Sequence, residues 1–487
     1  MKNHLRITPL LCAAIAVCFG FYFLPSTLRI AFLILALVAL CLLRVLTSIY
    51  NESRLLKTMA FCSVAFACGL MLGITAAAAS RSEISFSLAP ERVTAIEGVL
   101  LEDPRIISSG NAIASVGLRR CASEGGLRVS SKGELTVFFP HDNAMKLREF
   151  GRGTAVFAEG KLRSTDMGWT FSAASMHVVK TASSIERMRT GIRLSLINRF
   201  EGKVWGGLAL ALLLGIKDNL DSNLSIMYRN AGCSYILALS GMHLAVLAAI
   251  IAFLLRKPLG LKAATIAGAA IICLYCFIVG PMPSLNRSAL MYLLGAAAII
   301  GFLPRNPLSI LCLSFLIQIV VTPAAGNSIS FILSYLALAG ILVITPLLYS
   351  IFAGKVPDFL LQPLTASCGA FLATAGITGS AFGIIVPMGI VTGLALVPLT
   401  TFFIIGSLAW LAIDFLPVSI SGILGFPLTY LYKLMEGIVS AAGRIGGIPA
   451  KSGMAFFILA LSLFLTFAIA VFERRQQKTR LKLLPFS

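Results

Sequence analysis

Charged and hydroxyl side chains interrupt two of the most apolar stretches of the sequence. The first interruption follows the apolar run 204–214, and the second precedes the apolar run that begins near 287. An ionisable group is costly in lipid, so those embedded near membrane spans usually face a partner or a water-filled path. We interpret nine residues as candidates for lining such a path: Lys217, Asp218, Arg229, Asn230, Ser240, Gly241, His243, Ser284 and Arg287.

Two of these candidates have equally reasonable structural explanations. A single histidine in a helix is often a satisfied structural group, which applies to His243. Arg287 stands beside Pro281, Pro283 and Ser284, where it could extend to the lipid headgroups instead of lining a path. Both explanations stay open at the level of sequence.

Catalytic constellations are scarce in the sequence. It contains no HExxH or HxHxDH metal motif, no GxxxxGK[ST] phosphate loop and no GxSxG turn. Ser240 and His243 are three residues apart but have no carboxylate nearby, and the CxxC at Cys273 and Cys276 lies in an apolar run without further polar ligands. We therefore predict no enzymatic activity, no metal and no cofactor.

Composition indicates a membrane protein. Of 487 residues, 58% are hydrophobic and 12% are charged, with a mean hydropathy of +0.92; soluble domains contain about a quarter charged residues. The net charge of +20 is weak evidence for a nucleic-acid partner, because Lys and Arg accumulate in cytoplasmic loops. Residues 81–190 are nearly balanced in charge, as in a soluble domain.

Apolar runs predict about ten to twelve membrane spans in a polytopic α-helical fold. The first is expected to stay uncleaved, because a second apolar run follows almost at once. The predicted spans are 7–24, 28–48, 58–79, 234–255, 262–280, 287–303, 307–322, 329–351, 361–381, two crossings within the Pro398-interrupted stretch 384–416, and 454–472.

Basic residues at the ends of the spans predict the orientation. Lys2, Arg6, Arg44, Arg54 and Lys57 place the first loops in the cytoplasm, and therefore residues 81–190 outside. The basic segment ERRQQKTRLK predicts a cytoplasmic tail, and parity then requires the two crossings between 384 and 416. These features predict a multi-pass protein of the bacterial plasma (inner) membrane.

Residues 93–180 consist of short alternating runs separated by Gly, Asp and Ser clusters, which predicts a small OB-like β-barrel. We expect the segment GRGTAVFAEGKL to form one strand pair. Such barrels often bind single strands through aromatic and basic residues, and the candidates here are Arg119, Arg120, Phe138, Phe139, Trp169 and Phe171. Core aromatics and solvated arginines are the alternative explanation.

Two further segments have apolar residues at helical spacing interspersed with charges. In SIERMRTGIRLSLINRF the arginines predict a helix on the membrane surface, and residues 418–446 give a similar pattern, expected to lie flat outside. Residues 204–214 are too few to span a membrane and end at Gly215, which predicts a broken helix that lines a cavity or packs on protein.

The resulting domain organisation has five parts. We predict transmembrane helices in 1–80, the β domain in 81–183, a linker helix in 184–203, a transmembrane channel domain in 204–472 and a basic tail in 473–487.

Four segments resemble, in order and spacing, the competence domain of the ComEC family: LALALLLGIKDNLD, YRNAGCSYILALSGMHLAVLAAII, PSLNRSALMYLLG and SISFILSYLALAGILVITPLL. The resemblance implies an inner-membrane channel that admits single-stranded DNA during natural transformation. It also implies a separate cytosolic motor and DNA-receptor proteins as partners, besides the lipid bilayer. Family members commonly place an acid directly after the glycine that closes the short helix, whereas here Ile216 follows Gly215 and the acid is Asp218.

Many members of that family continue into a metallo-β-lactamase-like domain, which this sequence does not contain, so any nuclease is expected to be a separate protein. Two other functions fit the same features. A secondary transporter or exporter of a small or amphiphilic solute also uses broken helices with polar groups near the membrane centre. A structural membrane protein is the third.

Overall fold

The computed structural model describes residues 89–450, with Gly69 and Met71, except for short gaps. The gaps are at 108–109, 124–127, 166–167, 240, 304, 323–325, 327 and 416–420. The spans predicted at 7–24, 28–48, 58–79 and 454–472 and the basic tail lie outside the described residues.

The first described module is a small closed β-barrel. Its strands are β1 (Ala95–Leu100), β2 (Arg105–Ile106), β3 (Ala112–Ala122), β4 (Arg128–Ser130), β5 (Glu134–Phe139), β6 (Ala155–Thr165) and β7 (Gly168–Lys180), and helix α1 (His141–Phe150) separates β5 from β6. Five strands close the ring in the order β1, β6, β7, β5, β3 and back to β1, and only β5 and β7 pair in parallel. The predicted small barrel is thereby confirmed.

Alternating burial explains why these segments form strands. Along β3 the side chains of Ala112, Ala114, Val116 and Leu118 are buried at every second position, as in a strand with one face on a core. The prediction for GRGTAVFAEGKL was wrong in detail. Its first residues form a turn and the rest is the single strand β6, whose partners are β1 and β7.

The second module is helical. Its helices are α2 (Ser184–Phe200), α3 (Gly206–Leu214), α4 (Ser222–Asn230), α5 (Gly241–Val279), α6 (Pro283–Ile300), α7 (Pro307–Val321), α8 (Ile329–Phe352), α9 (Asp358–Phe382), α10 (Gly389–Asp414) and α11 (Ser421–Gly443), and β8 (Ile384–Ile385) pairs with β9 (Ile448–Pro449). Among the described helices, α5, α8, α9 and α10 are long and apolar enough to cross a membrane. The chain is therefore a helical membrane protein with a small β-barrel domain.

Helix α5 is a hairpin of two helical segments. Gly260 has a non-helical backbone with φ 76°, and a Cβ built on Gly268 would lie 3.5 Å from Cγ2 of Ile251. In one continuous helix these two residues would be about 25 Å apart, so the chain reverses at Gly260. This turn lies between the two spans predicted at 234–255 and 262–280.

The prediction of two crossings within 384–416 was wrong. Helix α10 runs without interruption from Gly389 to Asp414, and Pro398 lies inside it. A proline is tolerated within a membrane helix when neighbouring groups satisfy the freed backbone carbonyl. One helix, not two, therefore occupies this stretch.

Helix α11 packs alongside α10 in the opposite direction, which also corrects the prediction of a flat surface helix at 418–446. It follows α10 after a short connection, and Leu428 contacts Gly406 of α10. Its last residue, Gly443, contacts Asn230, while Gly389 at the start of α10 contacts Gly232. The α11 side chains that face the core recur every three or four residues: Leu428, Tyr432, Met435 and Val439.

Candidate functional site

A buried arginine stands in the first turns of helix α6. The side chain of Arg287 is only 6% exposed, and its Nη1 donates a hydrogen bond of 2.7 Å to the Ser334 carbonyl of α8. Its guanidinium lies 5.8 Å from the centre of the Tyr335 ring. Within the described part of the chain no carboxylate forms an ion pair with Arg287, and its Nε–H makes no hydrogen bond there.

A polar network joins three helix ends around this arginine. Gln318, near the end of α7, donates to the Pro283 carbonyl at the start of α6 at 3.3 Å. The Tyr335 hydroxyl, near the start of α8, donates to Gln318 Oε1 at 2.9 Å. Proline suits the first position of α6 because that position has no helical acceptor for an N–H. The network therefore fixes the start of α6, and with it Arg287.

The start of α5 approaches the same arginine. A Cβ built on Gly241 would lie 3.3 Å from Nη2 of Arg287 and 3.1 Å from Oγ of Ser288. The Ser284 hydroxyl donates to the Leu239 carbonyl at 2.5 Å. The structure therefore brings Gly241, Ser284 and Arg287 together. His243 is buried two residues further along α5, and Ser240 lies outside the described residues.

The broken helix α3 ends beside this site. Its nine residues are too few to cross a membrane, and most of their side chains are buried in protein. Gly215 closes it with a left-handed backbone of φ 69°, and a Cβ there would lie 2.5 Å from Cε of Met282 and 2.8 Å from Cδ1 of Leu239. The Tyr275 hydroxyl satisfies the Leu213 carbonyl at 2.7 Å. This helix therefore packs on protein, one of the two predicted arrangements.

Lys217 and Asp218 lie elsewhere, at the contact with the barrel. The Asp218 carboxylate accepts a hydrogen bond of 3.1 Å from the backbone N–H of Ile106 in β2. Burial raises the pKa of Asp218, although this hydrogen bond and nearby arginines oppose the shift. These two residues are therefore candidates for contacts between the modules and not neighbours of Arg287.

Arg229 and Asn230 occupy a third place. They are exposed at the end of α4, where Asn230 contacts Gly443 at the end of α11. The eight path candidates within the described residues thus separate into three groups: one around Arg287, one at the barrel contact and one at the α4 and α11 ends.

The barrel candidates divide between core and surface. Phe171 is 0% exposed and Phe139 is also buried. The prediction that these two residues contact single-stranded DNA on the barrel surface was therefore wrong, because both belong to the barrel core. Trp169 packs against that core, and Phe138 is half-buried. The exposed candidates are Arg119 and Arg120, of which Arg120 lies 3.8 Å from Glu97 in an ion pair.

An ion network that sequence reasoning missed fastens the barrel to the helical module. Asp103, which follows β1, accepts hydrogen bonds from both terminal nitrogens of Arg189 on α2, at 3.0 and 2.6 Å. Arg193 Nε lies 3.2 Å from the same carboxylate. Arg189 also contacts Glu186, and Glu186 pairs with Arg152 of the barrel.

The same two arginines cap the end of α5. Arg189 Nε donates to the Phe277 carbonyl at 2.7 Å, and Arg193 Nη1 donates to the Val279 carbonyl at 2.7 Å. Burial alone would raise the pKa of Asp103, but the Arg189 hydrogen bond and the charges of Arg193 and Arg189 hold that pKa below its usual value. Arg189 and Arg193 of the helix that was expected on the membrane surface therefore bind protein.

Within the described residues, no group of three or more His, Cys, Asp or Glu side chains is placed to hold a metal ion. The polar groups around Arg287 are an amide, hydroxyls and backbone carbonyls, arranged around a cation. Such a site can attract an anion.

The chain matches a known protein family. The family model described as Competence protein matches residues 212–475, which is more than half of the chain and includes the Arg287 site. No curated protein matches the chain.

Proposed function

Because the chain belongs to the competence protein family, we propose that it is the inner-membrane channel component that passes single-stranded DNA into the cytoplasm during natural transformation. The family match suggests a role in DNA uptake, and the match includes the helices that surround Arg287. The proposed activity is transport without catalysis.

The observation that carries this proposal is the buried charge of Arg287. A path for a polyanion needs positive groups that attract the phosphates without trapping them. No described carboxylate neutralises Arg287, and its contacts are with a carbonyl, a hydroxyl and an aromatic face. The positive charge therefore has no counter-ion among the described residues.

The arrangement of basic residues supports the proposed orientation. Arg256, Lys257 and Lys262 cluster at the turn of the α5 hairpin, and Lys262 lies 4.5 Å from the ring centre of Phe302 in the next connection. Both ends of the α5 hairpin lie opposite its turn, on the side of the barrel, where Arg189 binds Val279. Since basic connections favour the cytoplasm, we place the hairpin turn inside and the barrel outside.

The energy for transport is assigned to a separate cytosolic motor, because the sequence has no phosphate-binding loop. A DNA-receptor protein outside the membrane would deliver the strand. The path candidates that share the site with Arg287, namely Gly241 and Ser284, fix backbone positions around it.

The test measures internalisation of labelled DNA in the host, scored separately from DNA bound outside. We expect deletion of the gene to abolish internalisation and leave surface binding intact. Arg287→Gln should lower internalisation at least about tenfold, a loss equivalent to about 1.4 kcal/mol, and Arg287→Lys should keep part of it because the charge is retained.

The matched control is Arg256→Gln, which removes an exposed cation at the hairpin turn and should leave internalisation close to wild type. Equal amounts of each variant in the membrane are required for the comparison. Unchanged internalisation in the deletion strain would overturn the channel function and favour the transport of a small or amphiphilic solute. Unchanged internalisation in Arg287→Gln alone would overturn only the role of this arginine.

A further inference from the structure

Cations gather where the barrel meets the connection between α3 and α4. The hydrogen bond from Ile106 N–H to Asp218 fixes this contact at 3.1 Å. Arg105 directly precedes Ile106, and Lys217 directly precedes Asp218, so one exposed cation stands on each side of the contact. Burial and the charge of Arg105 lower the pKa of Lys217, so the two segments carry their positive charges near each other.

A third cation reaches the same contact from α1. Arg148 is half-buried, and its Nη2 makes no hydrogen bond with any described residue. Its charge acts on Asp218, as do those of Arg105 and Arg193. One carboxylate therefore faces cations from the barrel, from α1 and from α2.

The other acids nearby do not balance these charges. Asp103 is bound by Arg189 and Arg193. Glu102 pairs with Arg105 at 3.0 Å, but both side chains are largely exposed, at 42% and 67%, and an exposed pair of this kind contributes little and exchanges readily. A phosphate could replace Glu102 at Arg105 without leaving a buried charge unpaired.

We propose that Arg105, Arg148 and Lys217 form a phosphate-binding site that holds the backbone of a single strand as it passes from the barrel to the helical module. This site rests on the proposed function but is separate from the Arg287 site. The end of α5 connects the barrel side to the Arg287 site. Arg189 binds the Val279 carbonyl there, and α6 begins four residues later at Pro283. Contacts to phosphate alone would make the site independent of base sequence.

The experiment measures the binding of a fluorescent oligothymidine to the full-length protein in detergent, as a function of salt concentration. For single strands, each phosphate contact contributes about 0.7 to the slope of log K against log salt. The double variant Arg105→Gln with Lys217→Gln should therefore reduce the slope by about 1.4. Adding Arg148→Gln should bring the reduction to about 2.

The control variant carries Arg92→Gln and Lys161→Gln, which remove the same charges from the opposite end of the barrel. Arg92 precedes the start of β1, and Lys161 follows Glu159, the partner of Ala95 at that start. The proposed phosphate-binding site lies beyond the other end of β1, which is about 20 Å from the start of that strand. This variant should keep the wild-type slope.

The double variant replaces only exposed side chains, so its folding is readily checked by its thermal unfolding midpoint, whereas Arg148→Gln changes a half-buried one. An unchanged slope in the folded double variant overturns the site. An equal loss of slope in the control also overturns it, because the binding would then be non-specific attraction to the barrel. A reduced slope in the double variant alone supports it.

The outcome is distinguishable from failure of the channel function. If the slope falls as expected and the gene deletion leaves DNA internalisation unchanged, the phosphate site stands and the channel function falls. If the slope is unchanged while Arg287→Gln still lowers internalisation, the channel function is supported and the phosphate-binding site is overturned.

Discussion

Two buried arginines of this protein have opposite surroundings. Arg189 is 0% exposed and binds Asp103, Glu186 and two backbone carbonyls, so its charge is balanced and its hydrogen bonds are used. Arg287 is almost as buried, but its polar partners among the described residues are a carbonyl and a hydroxyl, and no described carboxylate pairs with it. One charge is neutralised by protein and the other is not.

The difference in charge balance distinguishes an arginine with a structural role from a candidate for a functional one. A buried charge costs several kcal/mol in desolvation, which a well-formed ion pair can offset. The ion pair between Asp103 and Arg189 joins the barrel to the helical module, so its role is explained by the fold. At the start of α6 the cost has no equivalent compensation among the described residues, and the proposed function assigns that compensation to a transported anion.

Removal of the junction carboxylate should have the largest effect. Asp103→Ala leaves Arg193 buried without its acid and Arg189 with Glu186 alone, and breaking a buried pair in this way costs about 3 to 5 kcal/mol. We expect a lower unfolding midpoint of the purified protein and faster proteolysis between the barrel and α2. Glu102→Gln is the matched control, because its pair with Arg105 is exposed and contributes below about 1 kcal/mol. Similar effects of the two substitutions would contradict the assignment.

Acid should loosen the same junction, but only at low pH. The pKa of Asp103 is lowered in the folded protein from a usual value near 3.8. A lowered pKa means that the carboxylate stabilises the fold above its unfolded pKa, and that this contribution is lost as the pH falls through the folded pKa. The unfolding midpoint of the wild type should therefore lose this contribution below about pH 4, while Asp103→Asn should not show that loss. A loss already near pH 6 would implicate another group.

The barrel and the hairpin of α5 could be predicted from sequence because their signals are local. Alternation of apolar residues identified the strands, and the basic turn around Gly260 separated two spans. The error at Pro398 came from treating a proline as a break, although a packed membrane helix tolerates it. The error at α11 came from Lys433 and Arg444: Lys433 lies on the exposed side of the helix and Arg444 directly follows its end, while the opposite face packs on protein.

The site could be predicted only in part because its contacts are distant in sequence. The pattern identified Arg287 as unusual, but its acceptor Ser334 lies 47 residues away. Asp103 and Arg189 are 86 residues apart, and either alone resembles an ordinary surface charge. The helical pattern of α2 was recognised, whereas the side to which its arginines turn depends on the position of the barrel.

Replacement of Arg287 should have the smallest effect on stability, and this contrast with Asp103 is the sharpest test of the comparison. Arg287→Met removes the hydrogen bonds to Ser334 and Ser288 but also removes a buried charge without a described acid, so the two contributions oppose each other. We expect the unfolding free energy in detergent to change by less than about 1 kcal/mol in either direction.

The same variant should lose DNA internalisation, because the attraction of the path for phosphate depends on the charge and not on the fold. The substitutions at the two sites are therefore expected to have different main effects. Asp103→Ala, which removes the acid partner of Arg189, mainly lowers stability, whereas Arg287→Met lowers transport with stability retained. A destabilisation by Arg287→Met as large as that of Asp103→Ala would show that Arg287 has a structural partner. The explanation of the site as a path for an anion would then lose its main support.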